Sequence, residues 1–76
     1  MYEENYEKMA NAIILLAVKD FRTAYRRLKR HPNDKSAQGE IQSITRFFCS
    51  QYFNTLTTLD GPALLQRIIE ELEGKE

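Results

Sequence analysis

Apolar residues recur every three or four positions along the start of the chain, which predicts one long helix from about residue 3 to about residue 30. Its main apolar stripe contains Ile14, Val18, Phe21, Tyr25 and Leu28. Acidic residues fill the first turns and basic residues the last, an order that the helix dipole favours. The helix is expected to end at His31, because a residue before proline disfavours the helical conformation.

The next apolar pattern predicts a second helix from about residue 34 to about residue 49, with the stripe Ala37, Ile41, Ile44 and Phe48. Gly39 lies inside this helix and weakens it by about 1 kcal/mol relative to alanine. This glycine either marks a close approach between two backbones or has no structural role. Ser50 is then placed to cap a short helical turn over residues 51–56, where a group of threonines favours a break.

The run Asp60-Gly61-Pro62 predicts that a helix starts again, with Asp60 as its N-cap and Pro62 in its first turn. This third helix carries a dense apolar face, formed by Leu64, Leu65, Ile68, Ile69 and Leu72. We find no repeat and no alternating strand pattern. The expected fold is therefore all-α, a small three-helix bundle with one long N-terminal helix, in a single domain over residues 1–76.

The middle of the first helix, residues 12–18, is apolar on every side. A helix of this kind is normally buried on every side. Two short partner helices cover roughly two sides, so we expect the remaining surface to be covered by a second copy of the chain. The alternative is a tight monomeric bundle with the first helix at its centre.

Composition narrows the class of protein. The net charge is zero and there is one cysteine, so no disulfide forms within the chain. The apolar run is far shorter than the roughly 18 residues that a membrane span needs, and the first residues are acidic, unlike a signal peptide. These features predict a soluble cytoplasmic protein that has no membrane contact. Zero net charge also disfavours long-range attraction to a nucleic acid.

Charge is nevertheless uneven, at −2 over residues 1–18, +5 over residues 19–46 and −3 over residues 47–76. Most of the positive charge lies along one flank of the first helix, here called the basic stripe: Lys19, Arg22, Arg26, Lys29 and Arg30. Arginine binds phosphate in a bidentate fashion, and tyrosine stacks on a base. The sequence thus predicts phosphate contacts from Lys19, Arg22, Arg26, Arg30 and Arg46, with stacking by Tyr25 and Tyr52. The alternative is a solvated face that pairs with Asp20, Asp34 or the acidic last helix.

Other candidate groups predict no chemistry. Arg46, Phe47, Phe48, Tyr52 and Phe53 form an aromatic cluster that we interpret as a packed end of the bundle, with Phe48 in the core. His31 reads as a turn residue. Cys49 reads as a small buried residue rather than a thiol activated by Arg46. With no catalytic constellation, metal-ligand spacing or phosphate-binding glycine loop, the expected protein is not an enzyme and uses no cofactor or metal.

Two segments resemble small helical proteins of phages, prophages and conjugative elements of Gram-positive bacteria: residues 17–34, AVKDFRTAYRRLKRHPND, and residues 46–61, RFFCSQYFNTLTTLDG. The family pattern runs roughly VKDYR…LK…P.N…E…FF.S.WF..LT..DG..L. Phe21 stands where that pattern has tyrosine, and Tyr52 where it has tryptophan. The resemblance covers about residues 9–69 and assigns no activity, because the family is generally uncharacterised.

A mobile-element origin favours three hypotheses, by analogy alone. The first is a homo-oligomeric anti-defence protein that sequesters an anionic nucleotide signal, such as a cyclic nucleotide or an ADP-ribose derivative. The second is an inhibitor or adaptor that binds a host defence protein directly. The third is a nucleic-acid-binding accessory of the element, against which the zero net charge argues.

Overall fold

The computed structural model describes residues 2–74, with side chains from Tyr6 onwards, so the ends of the predicted 1–76 domain lie outside the described residues. Four helices follow one another, and residues 2–74 contain no strand: α1 Tyr2–Arg30, α2 Lys35–Phe48, α3 Gln51–Leu56 and α4 Gly61–Leu72. The all-α prediction and the long N-terminal helix are confirmed. The expected three-helix count is one too low, because the predicted turn over residues 51–56 is a helix in its own right.

All three helix starts after α1 carry a side-chain cap. Asp34 accepts a hydrogen bond from the backbone N–H of Ala37 at 3.0 Å. Ser50 accepts one from Phe53 at 3.2 Å, and Asp60 one from Ala63 at 3.2 Å. Each cap satisfies a backbone donor that the first helical turn leaves unpaired. The predicted caps at Ser50 and Asp60 are therefore confirmed.

The core lies where α1, α2, α3 and α4 meet. Its largest fully buried side chains are Phe21, Phe48 and Phe53, one from each of the first three helices. Leu65 and Ile68 of α4 and Ile14 of α1 complete the cluster. The predicted core position of Phe48 is confirmed, and the predicted stripe of α1 points into this cluster.

Two glycines have opposite surroundings. A Cβ atom on Gly61 would lie 1.8 Å from the carbonyl oxygen of Phe48, so α4 begins in direct backbone contact with the end of α2. A Cβ atom on Gly39 would meet no atom within 4 Å. The close approach of backbones that the sequence allowed at Gly39 occurs at Gly61 instead.

The middle of α1 is not covered on every side within one chain. Leu15 is 67% exposed and Leu16 is 59% exposed, although both lie in the run expected to be buried all round. The single chain is therefore not the tight monomeric bundle with α1 at its centre, because the side of α1 that carries Leu15 and Leu16 is open. Oligomerisation through α1 stays a prediction.

Candidate functional site

The basic stripe is partly neutralised by the C-terminal end of α4. Arg22 donates from Nη2 to Oε1 of Glu71 at 2.9 Å, and Nζ of Lys29 lies 3.3 Å from Oε1 of Glu73. Both ion pairs join groups far apart in sequence, and all four side chains remain in contact with solvent. Such pairs contribute only about 0–1 kcal/mol each, but they reduce the repulsion between neighbouring cations.

Tyr25 is held between α1 and α4 rather than presented to a ligand. Its hydroxyl donates a short hydrogen bond to a carboxylate oxygen of Glu73. This hydrogen bond raises the pKa of Tyr25 above its ordinary value, and partial burial and the negative charge of Glu73 raise it further. The Tyr25 ring also contacts the Phe21 ring, with 5.7 Å between the two ring centroids. The ammonium group of Lys29 lies 6.0 Å from the centroid of the Tyr25 ring. The predicted stacking face is thus already in use.

The other three cations of the basic stripe face away from the core. Counting 100° per residue from Phe21 places Lys19, Arg26 and Arg30 roughly 140° to 180° around α1. All three are exposed, and none forms an ion pair or hydrogen bond with the described residues. This part of the stripe is free to meet an anion.

Arg46 and Tyr52 lie at a different end of the molecule from Arg26 and Arg30. Ser43, Ile44 and Phe47 of α2 line a groove with residues of α1 between Ile13 and Asp20. This part of α2, which includes Arg46, therefore lies level with residues 13–20 of α1, about 9 Å or more along the helix from Arg26. The Tyr52 ring is 6.1 Å from the Phe47 ring, at this same end. One copy of the chain does not bring the seven predicted ligand-binding residues together.

Sequence reasoning missed an open groove between α1 and α4. It has a volume of about 470 Å³ and is here called the α1–α4 groove, lined by Asn11, Ile14, Leu15, Val18, Arg22, Leu59, Leu64, Arg67, Ile68 and Glu71. The only sequence signal for its α4 side was the spacing of Leu64, Arg67, Ile68 and Glu71, which puts them on one helical face. Nothing in the sequence placed that face against α1.

The chemistry of the α1–α4 groove is aliphatic with cationic edges. Six of its ten lining residues are leucine, isoleucine or valine, and none is aromatic. Arg67 is exposed and has no partner among the described residues. Glu71 is the one acidic lining residue, and it already pairs with Arg22. The groove suits an apolar side chain better than a nucleobase.

A smaller groove lies on the other side of the exposed leucines. This α1–α2 groove has a volume of about 200 Å³ and is lined by Ile13, Leu16, Ala17, Asp20, Ser43, Ile44 and Phe47. Leu15 borders the first groove and Leu16 the second. Adjacent exposed leucines therefore lie between two concave, largely apolar surfaces.

The aromatic cluster is mostly internal packing, as the sequence indicated. Phe47 makes edge-to-face contacts with Phe48 and Phe53, each at 5.5 Å between ring centroids. Phe48 and Phe53 are fully buried, so only Tyr52 of the cluster presents much of its ring to solvent. These contacts stabilise the end of the bundle and leave little aromatic surface for a ligand.

The one cysteine and the one histidine of the chain both lie at the surface. Cys49 is exposed, against the expectation that it is a small buried residue. His31 lies in the turn between α1 and α2 and is exposed. Within residues 2–74, no three histidine, cysteine, aspartate or glutamate side chains group closely enough to hold a metal ion.

None of the helices in the described part has the length and hydropathy required to cross a bilayer.

Comparison with known proteins assigns no family to the chain. No protein-family model, curated protein or solved structure matches it. The resemblance to proteins of phages and conjugative elements therefore stays a prediction.

Proposed function

We propose that this protein is a binding module that docks another protein on the surface of α1 around Leu15 and Leu16. The main support for this proposal is that Leu15 is 67% exposed and Leu16 is 59% exposed, at the middle of a helix that otherwise packs on its neighbours. Fully burying one leucine is worth about 1.5–3 kcal/mol, so the pair offers substantial binding free energy. The grooves on either side give a partner concave surface to fill.

The surroundings support a protein rather than a nucleotide at this surface. Neither groove presents a free aromatic face, since Phe47 already contacts three other rings. Tyr25 is engaged by Glu73, and Tyr52 lies at the other end of the molecule from Arg26 and Arg30. Exposed aliphatic groups on a helix are typical of protein–protein contacts.

A photo-crosslinking amino acid introduced at position 15 or 16 tests this proposal in the cell that makes the protein. Position 42 is the matched control, because Gln42 is an exposed residue of α2 that lines neither groove. We expect a discrete cross-linked protein from positions 15 and 16 that is absent from position 42. The same products from all three positions, or none from positions 15 and 16, would contradict the proposal.

The resemblance to mobile-element proteins gives this module a setting. A phage protein of this kind would act as an anti-defence inhibitor or adaptor, and its partner would be a host defence protein in the cytoplasm. A second copy of the chain is the other partner that the sequence predicts. Cross-linking of the purified protein to itself, at the same two positions, would identify that case.

The exposed cations of the basic stripe support a second candidate function, which is the sequestration of an anionic nucleotide signal. Lys19, Arg26 and Arg30 are exposed and pair with no carboxylate of residues 6–74, so a phosphate would find donors there. A rise in melting temperature with cyclic dinucleotides, cyclic trinucleotides or ADP-ribose derivatives, lost on Arg26→Gln, would support it. A nucleic acid would use the same cations, and its affinity would fall steeply with salt.

A further inference from the structure

We propose that the α1–α4 groove takes an amphipathic helix whose apolar face is flanked by acidic side chains. This inference rests on the proposed protein-binding function and adds the chemistry of the partner. It is carried by three features of the groove: its length, its aliphatic floor and the sign of the charges along its edges.

The length of the groove fits a short helix. Its lining residues on α1 run from Asn11 to Arg22, and those on α4 from Leu64 to Glu71. At 1.5 Å per residue, the α1 wall is about 16 Å long, or about three helical turns. A helix of that length presents apolar anchors at i, i+3 or i+4, and i+7, the usual pattern for a helix seated in a groove.

The apolar surface is arranged to receive such anchors. Ile68 is buried while Val18 and Leu64 are half-buried, so together they form a floor that is already partly dry. Leu15 and Leu59 are mostly exposed, at 67% and 55%, and both line the same groove. A ligand that covers these two leucines removes them from water, which favours binding.

The charges along the edges select the partner. Arg67 on the α4 side has no partner among the described residues, and Arg22 on the α1 side forms an ion pair with Glu71, the one acidic lining residue. Beyond the α1 edge lie Lys19 and Arg26, neither of which forms an ion pair within the part of the chain that the structure describes. An acidic helix would find a cation on each side, whereas a basic helix would meet like charges.

A display library of helices about 14 residues long provides the probe, with leucines fixed at the anchor positions and the flanking positions varied among Glu, Lys, Gln and Ala. Selection on the wild-type protein is expected to enrich Glu over Lys at the flanking positions. The Arg67→Glu protein should weaken the selected Glu-rich helices by roughly five-fold and favour Lys-rich ones. The matched control is Lys35→Glu, the same charge change at the start of α2, which should leave the selection unchanged.

The Leu15→Gln protein separates the two levels of the proposal. Helices that lose binding on Leu15→Gln but show no preference for Glu would overturn the acidic-partner inference and leave the docking function intact. Failure to enrich any helix on the wild type over Leu15→Gln would overturn both. Tight binding of a 20-nucleotide single-stranded DNA that depends on Arg67 would overturn the inference in favour of a nucleic-acid ligand.

Discussion

Replacing Gly61 by alanine is expected to destabilise the fold strongly, whereas the same replacement at Gly39 is expected to stabilise it. The two sites share a residue type, a helical setting and a single added methyl group. They differ in what surrounds the new Cβ atom. The pair therefore tests whether the contact between α4 and α2 is as close as the structure has it.

At Gly61 the added Cβ would lie 1.8 Å from the Phe48 carbonyl oxygen and 3.1 Å from Cδ1 of Phe53. An ordinary contact is about 3.4 Å, so the start of α4 has to retreat by roughly 1.6 Å. Backbone blocks the way rather than a flexible side chain, and both phenylalanines are fully buried. Overpacking of this kind costs about 1–3 kcal/mol or more, which exceeds the helix-propensity gain of under about 1 kcal/mol.

At Gly39 the added methyl group meets no atom within 4 Å. Alanine there restricts the unfolded chain and favours the helix, with a gain of about 0.5–1 kcal/mol. For a domain of this size, 1 kcal/mol corresponds to about 4–8 °C in melting temperature. We therefore expect a rise of about 2–8 °C for Gly39→Ala and a fall of about 8–16 °C for a 2 kcal/mol loss in Gly61→Ala.

Thermal unfolding followed by circular dichroism measures both shifts. The scans should be run at several protein concentrations, because self-association would make the midpoint depend on concentration. A Gly61→Ala protein that melts within about 2 °C of the wild type would refute the close contact between α4 and α2. A Gly39→Ala protein that melts below the wild type would mean that α2 is covered at that point by something outside the single chain.

Three further predictions concern titrating groups and exposed leucines. The pKa of Asp34 lies below its ordinary value, chiefly because its carboxylate accepts a hydrogen bond from the Ala37 N–H. The carboxylate therefore stabilises the fold fully above the unfolded pKa of about 3.9, and this stabilisation is lost as the pH falls through the lower folded pKa. The difference in melting temperature between the wild type and Asp34→Asn should therefore shrink in strong acid. The pKa of Tyr25 is raised, so the stability that it adds over Tyr25→Phe should be full below about pH 10 and lost as pH rises through the folded value, measured by urea unfolding. Leu15→Gln should change the free energy of unfolding by less than about 0.5 kcal/mol, because the side chain is mostly exposed, and a larger loss would mean that a second copy covers it.

Local signals in the sequence predicted the helices well. The caps at Ser50 and Asp60 depend on residues three positions apart, and the apolar stripe of α1 on residues one turn apart. Interactions of this range are visible in the sequence itself. The role of Gly61 could not be predicted from the sequence, because the atom that excludes a side chain there belongs to Phe48 on another helix.

The candidate site was harder to predict for the same reason. The basic stripe follows from the spacing within α1, but its neutralisation joins residues 49 positions apart, Arg22 and Glu71. The α1–α4 groove likewise exists only because two distant faces meet. Leu59 carries no pattern that marks it out, and the helical spacing that groups Arg67 with Leu64 does not show what their face of α4 contacts.

The contact between the end of α4 and α1 bears on both functional hypotheses at once. Glu71 and Glu73 engage Arg22, Lys29 and Tyr25, and two of these, Arg22 and Tyr25, belong to the seven residues predicted to bind a nucleotide. The same contacts hold α4 alongside α1, and that placement creates the α1–α4 groove, where Arg67 pairs with none of the described residues. Like charges on the basic stripe would repel one another without these carboxylates, so the pairing has an electrostatic cause that is independent of any ligand. The positive charge that remains then lies beside exposed leucines rather than beside exposed aromatic rings, and this combination favours an acidic, amphipathic protein surface over a stacked base.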